Sequence, residues 1–190
     1  TIQGKPAVTD GAIYGGSGAN KIYGWDTYTY WDGPLTTGGW VLLRFDLSSF
    51  TTSDVVTSAS VNFYVHNPGN DAEVYKLRCP FHEDTTTWNN INNGTAFSES
   101  ACVGSQITSA ACGSTTPTSS SACADETSYS FDATAAVQGW IADPSSNLGM
   151  IFKPSGGNNG VGIWLSERPG GLNTPSLTVV VAGTRLSPPP

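Results

Sequence analysis

Charged residues are scarce in this 190-residue chain, and their balance argues against one class of partner. Asp, Glu, Lys and Arg make up 12% of the sequence, with 15 acidic against 8 basic residues and a net charge of −7. Nucleic-acid binding requires a basic surface that neutralises phosphates. We therefore expect no nucleic-acid partner, and a neutral polymer suits the acidic chain better than an anionic one.

Long apolar runs and metal-binding motifs are missing as well. A membrane-spanning helix needs about 18 or more consecutive apolar residues, and no such run occurs, so we expect no membrane span. The two histidines are His66 and His82, and the four cysteines lack the Cys-x-x-Cys spacing of zinc sites. The cysteines are therefore predicted to form disulfides, which favours a secreted, extracellular protein.

The pairing of these cysteines is open at the level of sequence, because four cysteines allow three connectivities. The short loop between Cys102 and Cys112 favours a bond between these two. Cys79, at a strand end, would then meet Cys123 just before the next strand.

Alternating apolar residues predict a sheet with one buried face. Val41, Leu43 and Phe45 alternate with Leu42, Arg44 and Asp46, and the segment 59–66 repeats this pattern. About ten such short runs are separated by Gly, Pro, Asn and Asp clusters. We expect an all-β fold, a two-sheet antiparallel sandwich (jelly roll) with long loops and little helix, the main exception being a short helical turn in Ala133–Ala142.

One domain is predicted for residues 1–183, since sandwiches of this length are commonly single domains. The prolines of residues 184–190 predict the start of an extended linker. The chain is then expected to be a monomer that is fused to another domain.

The most distinctive segment is GWDTYTYWDG, Gly24 to Gly33. Four aromatic residues in seven positions exceed what a core strand needs, so some of them should face solvent. An exposed aromatic ring stacks on the C–H face of a sugar, while carboxylates accept hydrogen bonds from its hydroxyl groups. The predicted ligand-binding residues are Trp25, Asp26, Tyr28, Tyr30, Trp31 and Asp32. The other tryptophans, Trp88, Trp140 and Trp164, are predicted to be structural.

Four phrases in one order carry a resemblance to a known family: VLLRFDLSSF (41–50), TTTWNN (85–90), SFDATAAVQGW (130–140) and IWLSERPGGLNTPSLTVV (163–180). With these phrases the chain resembles the DNRLRE family of extracellular β-sandwich domains, which is related to a family of carbohydrate-binding modules. Ala133, where the family has a branched apolar residue, and the Cys-rich stretch 96–127 depart from its pattern. The resemblance implies a sandwich fold and a non-catalytic module.

These observations together predict a module that binds a polysaccharide and brings an attached secreted enzyme or wall protein to it. A structural or adhesive cell-surface domain is the first alternative. A small polysaccharide hydrolase or lyase is the second, with Glu83, Asp84 and Glu167 as the carboxylates to consider. No catalytic residue is assigned. A structural Ca²⁺ bound by Asp10, Asp26, Asp32 or Asp143 is compatible with the sequence, but no cofactor is required by it.

Overall fold

The computed structural model describes residues 1–3, 5, 7–33, 37–156 and 159–182. The predicted linker at 184–190 lies outside the described residues. Within them the chain forms an all-β sandwich of two antiparallel sheets with little helix, as the sequence predicted. The strands are β1 (Ile2–Gln3), β2 (Val8–Tyr14), β3 (Tyr28–Trp31), β4 (Gly39–Phe45), β5 (Val56–Asn67), β6 (Ala72–Leu77), β7 (Val103–Thr108), β8 (Thr127–Asp132), β9 (Met150–Pro154), β10 (Val161–Trp164) and β11 (Ser176–Val181). The helices are α1 (Glu99–Cys102) and α2 (Thr134–Ala142).

The larger sheet, sheet A, is organised around the long strand β5. Strands β11 and β10 pair with successive halves of β5, and β8 pairs with its middle. Because the β8 pairing overlaps both others in register, β10 and β11 lie end to end along one edge of β5, with β8 along the other. Strand β1 extends the sheet beyond β11, and β3 extends it beyond β10. Sheet B follows the order β2, β4, β9, β6, β7.

The main core lies between the two sheets. Sheet A contributes Val61, Phe63 and Val65 of β5, and sheet B contributes residues such as Leu43 and Phe152. These side chains alternate along their strands with residues that point away from the core, as the period of a strand requires. Helix α2 confirms the predicted helical turn, and it buries Val137, Trp140 and Ile141 against this core.

The outer face of sheet B is also buried, which the alternation did not predict. Leu42 was expected to lie on a partly wet face, but it is 1% exposed. It belongs to a second apolar cluster with Trp40 and Ile151, and this cluster is covered by residues of the segment between β6 and β7, including Phe81 and Ile91. Sheet B is therefore covered on both faces.

Two disulfides stabilise the long connections, and their pairing corrects the sequence prediction. The bonds join Cys79 to Cys102 and Cys112 to Cys123. The reason is the antiparallel pairing of β6 with β7, which sets Leu77 opposite Val103. Cys79 follows β6 and Cys102 precedes β7, so this register brings them together, and Cys112 is left to pair with Cys123 across the next loop.

The buried residue Asp71 organises this second disulfide loop. Its carboxylate accepts hydrogen bonds from the backbone N–H groups of Cys112 at 2.8 Å and Ser114 at 3.1 Å. The backbone N–H of Ala72 donates to it as well, at 2.7 Å. A fully buried carboxylate needs such partners, because an unpaired one would be strongly destabilising.

Candidate functional site

The outer face of sheet A carries a group of aromatic side chains that point away from the core. Strand β3 contributes Tyr28 and Tyr30, β5 contributes His66, and β10 contributes Trp164. Their neighbours along each strand, such as Trp31 and Ile163, point into the core. We call these four outward residues the aromatic face.

The rings of the aromatic face fix one another in place. The imidazole of His66 stacks on the indole of Trp164 with 4.2 Å between ring centroids. Tyr28 stands edge-on to Tyr30, His66 and Trp164, at 5.7, 5.1 and 6.0 Å. Edge-to-face contacts of this kind are favourable because ring edges and faces carry opposite partial charge. Tyr28 is nevertheless 45% exposed, so its phenol ring is held by its neighbours and is open to solvent.

Gly162 makes this close arrangement of rings fit the sheet. It lies on β10 opposite Tyr30 of β3. A Cβ atom at this position would lie 2.8 Å from His66 Nε2 and 2.8 Å from Tyr30 Cε1. A residue with a side chain would therefore push these two rings apart. His66 Nε2 is buried and has no hydrogen-bond partner among the described residues.

Charged groups border the aromatic face on two sides. The guanidinium of Arg168 stacks on the Trp164 indole at 4.0 Å. On the β8 side, the Tyr64 hydroxyl donates a hydrogen bond of 2.8 Å to Glu126. Because His66 and Arg168 already cover part of the Trp164 ring, Tyr28 is the ring most open to a ligand.

Burial lowers the pKa of His66, and the positive charge of Arg168 lowers it further. A hydrogen bond between the His66 imidazole and the backbone, together with the carboxylates of Asp125 and Glu126, opposes this shift. The imidazole is therefore less readily protonated than in solution. The groups that face it are Tyr28 and Tyr30 from β3, Trp164 from β10, Asp125 and Glu126 from the turn before β8, and Arg168 after β10.

A polar pocket of about 190 Å³ lies beside the aromatic face. Asn62 and Tyr64 of β5, Ser128 of β8 and Ser176 of β11 line it from the sheet. Gln3, Asn173 and Thr174 close it from the adjoining segments, and Phe63, whose side chain points into the core, lies at its base. None of these described lining residues is Asp, Glu, Lys or Arg.

Trp31 corrects the predicted ligand-binding set. It is 0% exposed, it stacks on Phe152 with 5.4 Å between ring centroids, and its Nε1–H donates to the backbone oxygen of Asn70 at 2.9 Å. The cause is strand alternation in β3, which turns Thr29 and Trp31 inward when Tyr28 and Tyr30 face out. Trp31 is therefore a core residue.

Trp25 and the two predicted aspartates lie outside the aromatic face. Trp25 is 64% exposed, and the Lys5 ammonium lies 4.5 Å from its ring centroid. Asp26 is a mostly exposed loop residue, and the partial desolvation of its carboxyl group, then the negative charge of Glu167, raises its pKa. Asp32 follows β3 and forms an isolated bridge with Gly39.

Three carboxylates meet near Trp25, in what we call the carboxylate cluster. Oxygen atoms of Asp10, Glu83 and Glu167 lie within 4.8 Å of one another. The Lys5 ammonium lies 2.5 Å from both Glu83 and Glu167. Asp10 is fully buried and accepts two hydrogen bonds of 2.9 Å from Ser166.

Burial and neighbouring groups have opposite effects on the pKa of Asp10 in the carboxylate cluster. Burial, reinforced by the negative charge of Glu167, raises the pKa of Asp10 well above its ordinary value, although the bonds from Ser166 oppose this. Of the four residues considered for Ca²⁺, Asp10 belongs to this cluster, whereas Asp143 accepts hydrogen bonds from Ser145 in a separate turn. The three carboxylate groups are close enough together to bind a cation, and in this structure the Lys5 ammonium is the cation that contacts Glu83 and Glu167.

Neither His66 nor Trp164 was among the predicted ligand-binding residues, and Trp164 was predicted to be structural. A signal for Trp164 was present in the strand VGIW, because Val161 and Ile163 occupy one face and Trp164 the other. Trp140 is buried as predicted, at 3% exposure, and Trp88 packs against Phe97. A large apolar residue in a strand suits either face, so the sequence alone did not indicate that Trp164 lies on the outer one.

Comparison with protein-family models and with curated proteins finds no match for this sequence. The likeness to the DNRLRE family therefore depends on the four sequence phrases alone. In the described part of the chain, no helix has the length and apolar character needed to cross a bilayer.

Proposed function

We propose that this protein is a non-catalytic carbohydrate-binding module that holds a polysaccharide on the aromatic face of sheet A. The observation that carries the proposal is that the outer face of sheet B is covered, whereas the outer face of sheet A exposes an aromatic ring. The outer face of sheet B is covered by the segment between β6 and β7. The outer face of sheet A presents Tyr28 at 45% exposure, fixed by three other rings.

The chemistry of this face suits a sugar. A pyranose offers a face of C–H groups to an aromatic ring, and its hydroxyl groups both donate and accept hydrogen bonds. Rings that are already ordered lose little conformational entropy when a ligand binds, which favours affinity. As a module outside the cell, where its two disulfides would persist, the protein would raise the local concentration of an attached enzyme or wall protein at its substrate.

A cleft beside helix α2 is a weaker candidate for this function. It encloses about 520 Å³ between Arg44, Asp46, Phe50, Trp140 and Asn147. Its tryptophan is 3% exposed, so the indole face is not open for stacking. Tyr28 of the aromatic face is 45% exposed, so its ring is open to a polymer.

The carboxylate cluster supports a hydrolase less well. Glycosidases hold two carboxyl groups about 5 to 9.5 Å apart, with the sugar bond between them. Here Glu83 and Glu167 are joined by the Lys5 ammonium at 2.5 Å from each, so the space between them is filled. A structural role in fixing the N-terminal segment accounts for this arrangement.

The test is retention on insoluble or immobilised cellulose, xylan, mannan, β-1,3-glucan, chitin, pectin and alginate. We expect the protein to be retained by at least one neutral polymer, and we expect Tyr28→Ala to abolish most of this retention. Trp25→Ala is the matched control, because Trp25 is more exposed than Tyr28 but lies outside the aromatic face.

Each other result argues against a part of the proposal. If Trp25→Ala loses retention and Tyr28→Ala keeps it, the sugar binds at the loop and the assignment to sheet A is wrong. If the folded protein is retained by none of the polymers, carbohydrate binding is wrong and the structural or adhesive alternative is favoured. Release of reducing sugar or unsaturated product from these polymers would favour the enzyme alternative.

A further inference from the structure

The aromatic face and the polar pocket share strand β5. His66, Tyr64 and Asn62 are successive outward residues of this strand, and Tyr64 also lines the pocket. A strand advances about 3.3 Å per residue, so His66 and Asn62 lie roughly 13 Å apart along it. This distance exceeds the length of one pyranose ring. Tyr64 lies between His66 and Asn62 on the outer face of β5, so the two features are neighbours on this face.

The pocket lies where β11 begins along the edge of β5, next to the gap that separates β11 from β10. Strand β10 ends at Trp164, and β11 begins at Ser176, which pairs with Asn62. Between them the chain leaves the sheet and returns through Asn173, whose backbone φ is 62°. The gap thus opens directly beside the aromatic face.

Two hydrogen-bonding groups of the pocket, the Asn62 amide and the Ser176 hydroxyl, make only long contacts within the protein, whereas Tyr64 and Gln3 make shorter bonds. The amide nitrogen of Asn62 has two long contacts, 3.4 Å to the Ser60 oxygen and 3.5 Å to Ser176 Oγ. Contacts of this length are at the outer limit for a hydrogen bond. The Asn62 amide and the Ser176 hydroxyl are therefore free to bind a ligand without loss of strong internal bonds.

The lining also restricts the ligand chemistry. Its polar side chains are amides and hydroxyls, and no described lining residue is Asp, Glu, Lys or Arg. Such groups match sugar hydroxyls and give no ion pair to a carboxylate or sulfate.

From these observations we infer that the polar pocket is a second subsite of the same surface, and that the module binds an extended segment of a neutral polysaccharide. One sugar stacks on Tyr28, and a following sugar along β5 donates and accepts hydrogen bonds at Asn62 and Asn173. This inference rests on the proposed carbohydrate binding at the aromatic face, and it adds the substrate class and the length of chain recognised.

The experiment is calorimetric titration with cello-, xylo-, manno- and laminari-oligosaccharides, from monosaccharide to hexasaccharide. We expect affinity to rise with chain length until both subsites are filled. Two variants, Asn62→Ala and Asn173→Gly, each remove one of the three pocket amides. The second can keep the positive φ because glycine adopts it readily. Ser58→Ala is the control, on the same strand but away from the pocket.

A neutral hydrogen bond contributes about 1 kcal/mol, so each pocket variant should weaken binding of the longest oligosaccharide about fivefold. Neither variant should change the affinity for the shortest sugar that binds, and Ser58→Ala should match the wild type. If Tyr28→Ala abolishes binding while both pocket variants bind all lengths like the wild type, the second subsite is wrong and the proposed function stands. If no oligosaccharide and no polymer binds, both proposals are wrong.

Discussion

Replacing Trp31 by Phe tests the division between core and surface aromatic residues on strand β3. Trp31 is fully buried, stacks on Phe152 and donates its Nε1–H to the backbone oxygen of Asn70 at 2.9 Å. The variant keeps a six-membered ring but loses the N–H and part of the indole. The same change at Trp25, which is 64% exposed, removes little that is buried.

The expected destabilisation follows from these contacts. Removing the partner of a buried polar group costs about 1–3 kcal/mol, and a small cavity in the core adds about 1 kcal/mol. We therefore expect Trp31→Phe to lower the free energy of unfolding by about 2–4 kcal/mol. In a chain of this size this corresponds to a fall in Tm of roughly 4–16 °C. Trp25→Phe should stay within about 0.5 kcal/mol of the wild type.

The assay is equilibrium unfolding in urea, followed by circular dichroism with the disulfides intact. The free energy of unfolding of the two variants should differ clearly, and both should retain polysaccharide binding. Equal stability of Trp31→Phe and Trp25→Phe would refute the assignment of Trp31 to the core.

Three further predictions concern the site and the fold. Gly162→Ala should weaken polysaccharide binding and destabilise the fold by about 1–3 kcal/mol, because the new Cβ would lie 2.8 Å from both the His66 and Tyr30 rings. Calorimetric titration measures the change in binding, and urea unfolding measures the change in stability. The folded protein should lose stability as the pH falls from about 7 through the ordinary imidazole pKa near 6.5 toward the lower pKa of half-buried His66, because the unfolded chain then binds the proton more readily. Unfolding curves at each pH measure this loss. Replacing both Cys112 and Cys123 by Ala should lower the free energy of unfolding by about 2–3 kcal/mol, since the bond closes a loop of 11 residues, and urea unfolding measures the loss.

Each of these three predictions has a control or an outcome that would contradict it. Gly139→Ala, whose Cβ would meet only Lys76 Nζ at 3.4 Å, should leave binding unchanged. His66→Gln should remove part of the pH dependence between about 7 and 5, and an unchanged pH profile would show that another group causes it. Wild-type stability of the double cysteine variant would mean that Asp71 holds the loop without the covalent bond.

The regular alternation of apolar and polar residues made the fold class predictable, but it correctly predicted the exposure of the outer face for sheet A only. In β5 each apolar residue from Ala59 to Val65 faces the core, and each intervening residue is partly exposed. In β4 the same reasoning failed at Leu42, because a later segment of the chain covers that face. A local pattern reports the strand itself and carries no information about distant residues that pack on it.

The candidate site was predictable in part for a similar reason. The density of aromatic residues in 24–33 correctly drew attention to Tyr28 and Tyr30, which do lie on an outward face. Which residues of an alternating strand face outward depends on how the strand pairs, so Trp31 was assigned to the wrong side. The cysteine pairing failed likewise, because the register of β6 with β7 decides it.

The sequence by itself determined the all-β class, the approximate strands, the helical turn at α2 and the presence of disulfides, because these depend on local periodicity and composition. Only the tertiary structure decided which sheet face is open, since that depends on where the segment between β6 and β7 packs. It alone brought His66 and Trp164 beside Tyr28, and Asp10 beside Glu83 and Glu167. These residues are far apart in the chain, and only strand pairing and packing bring them into contact.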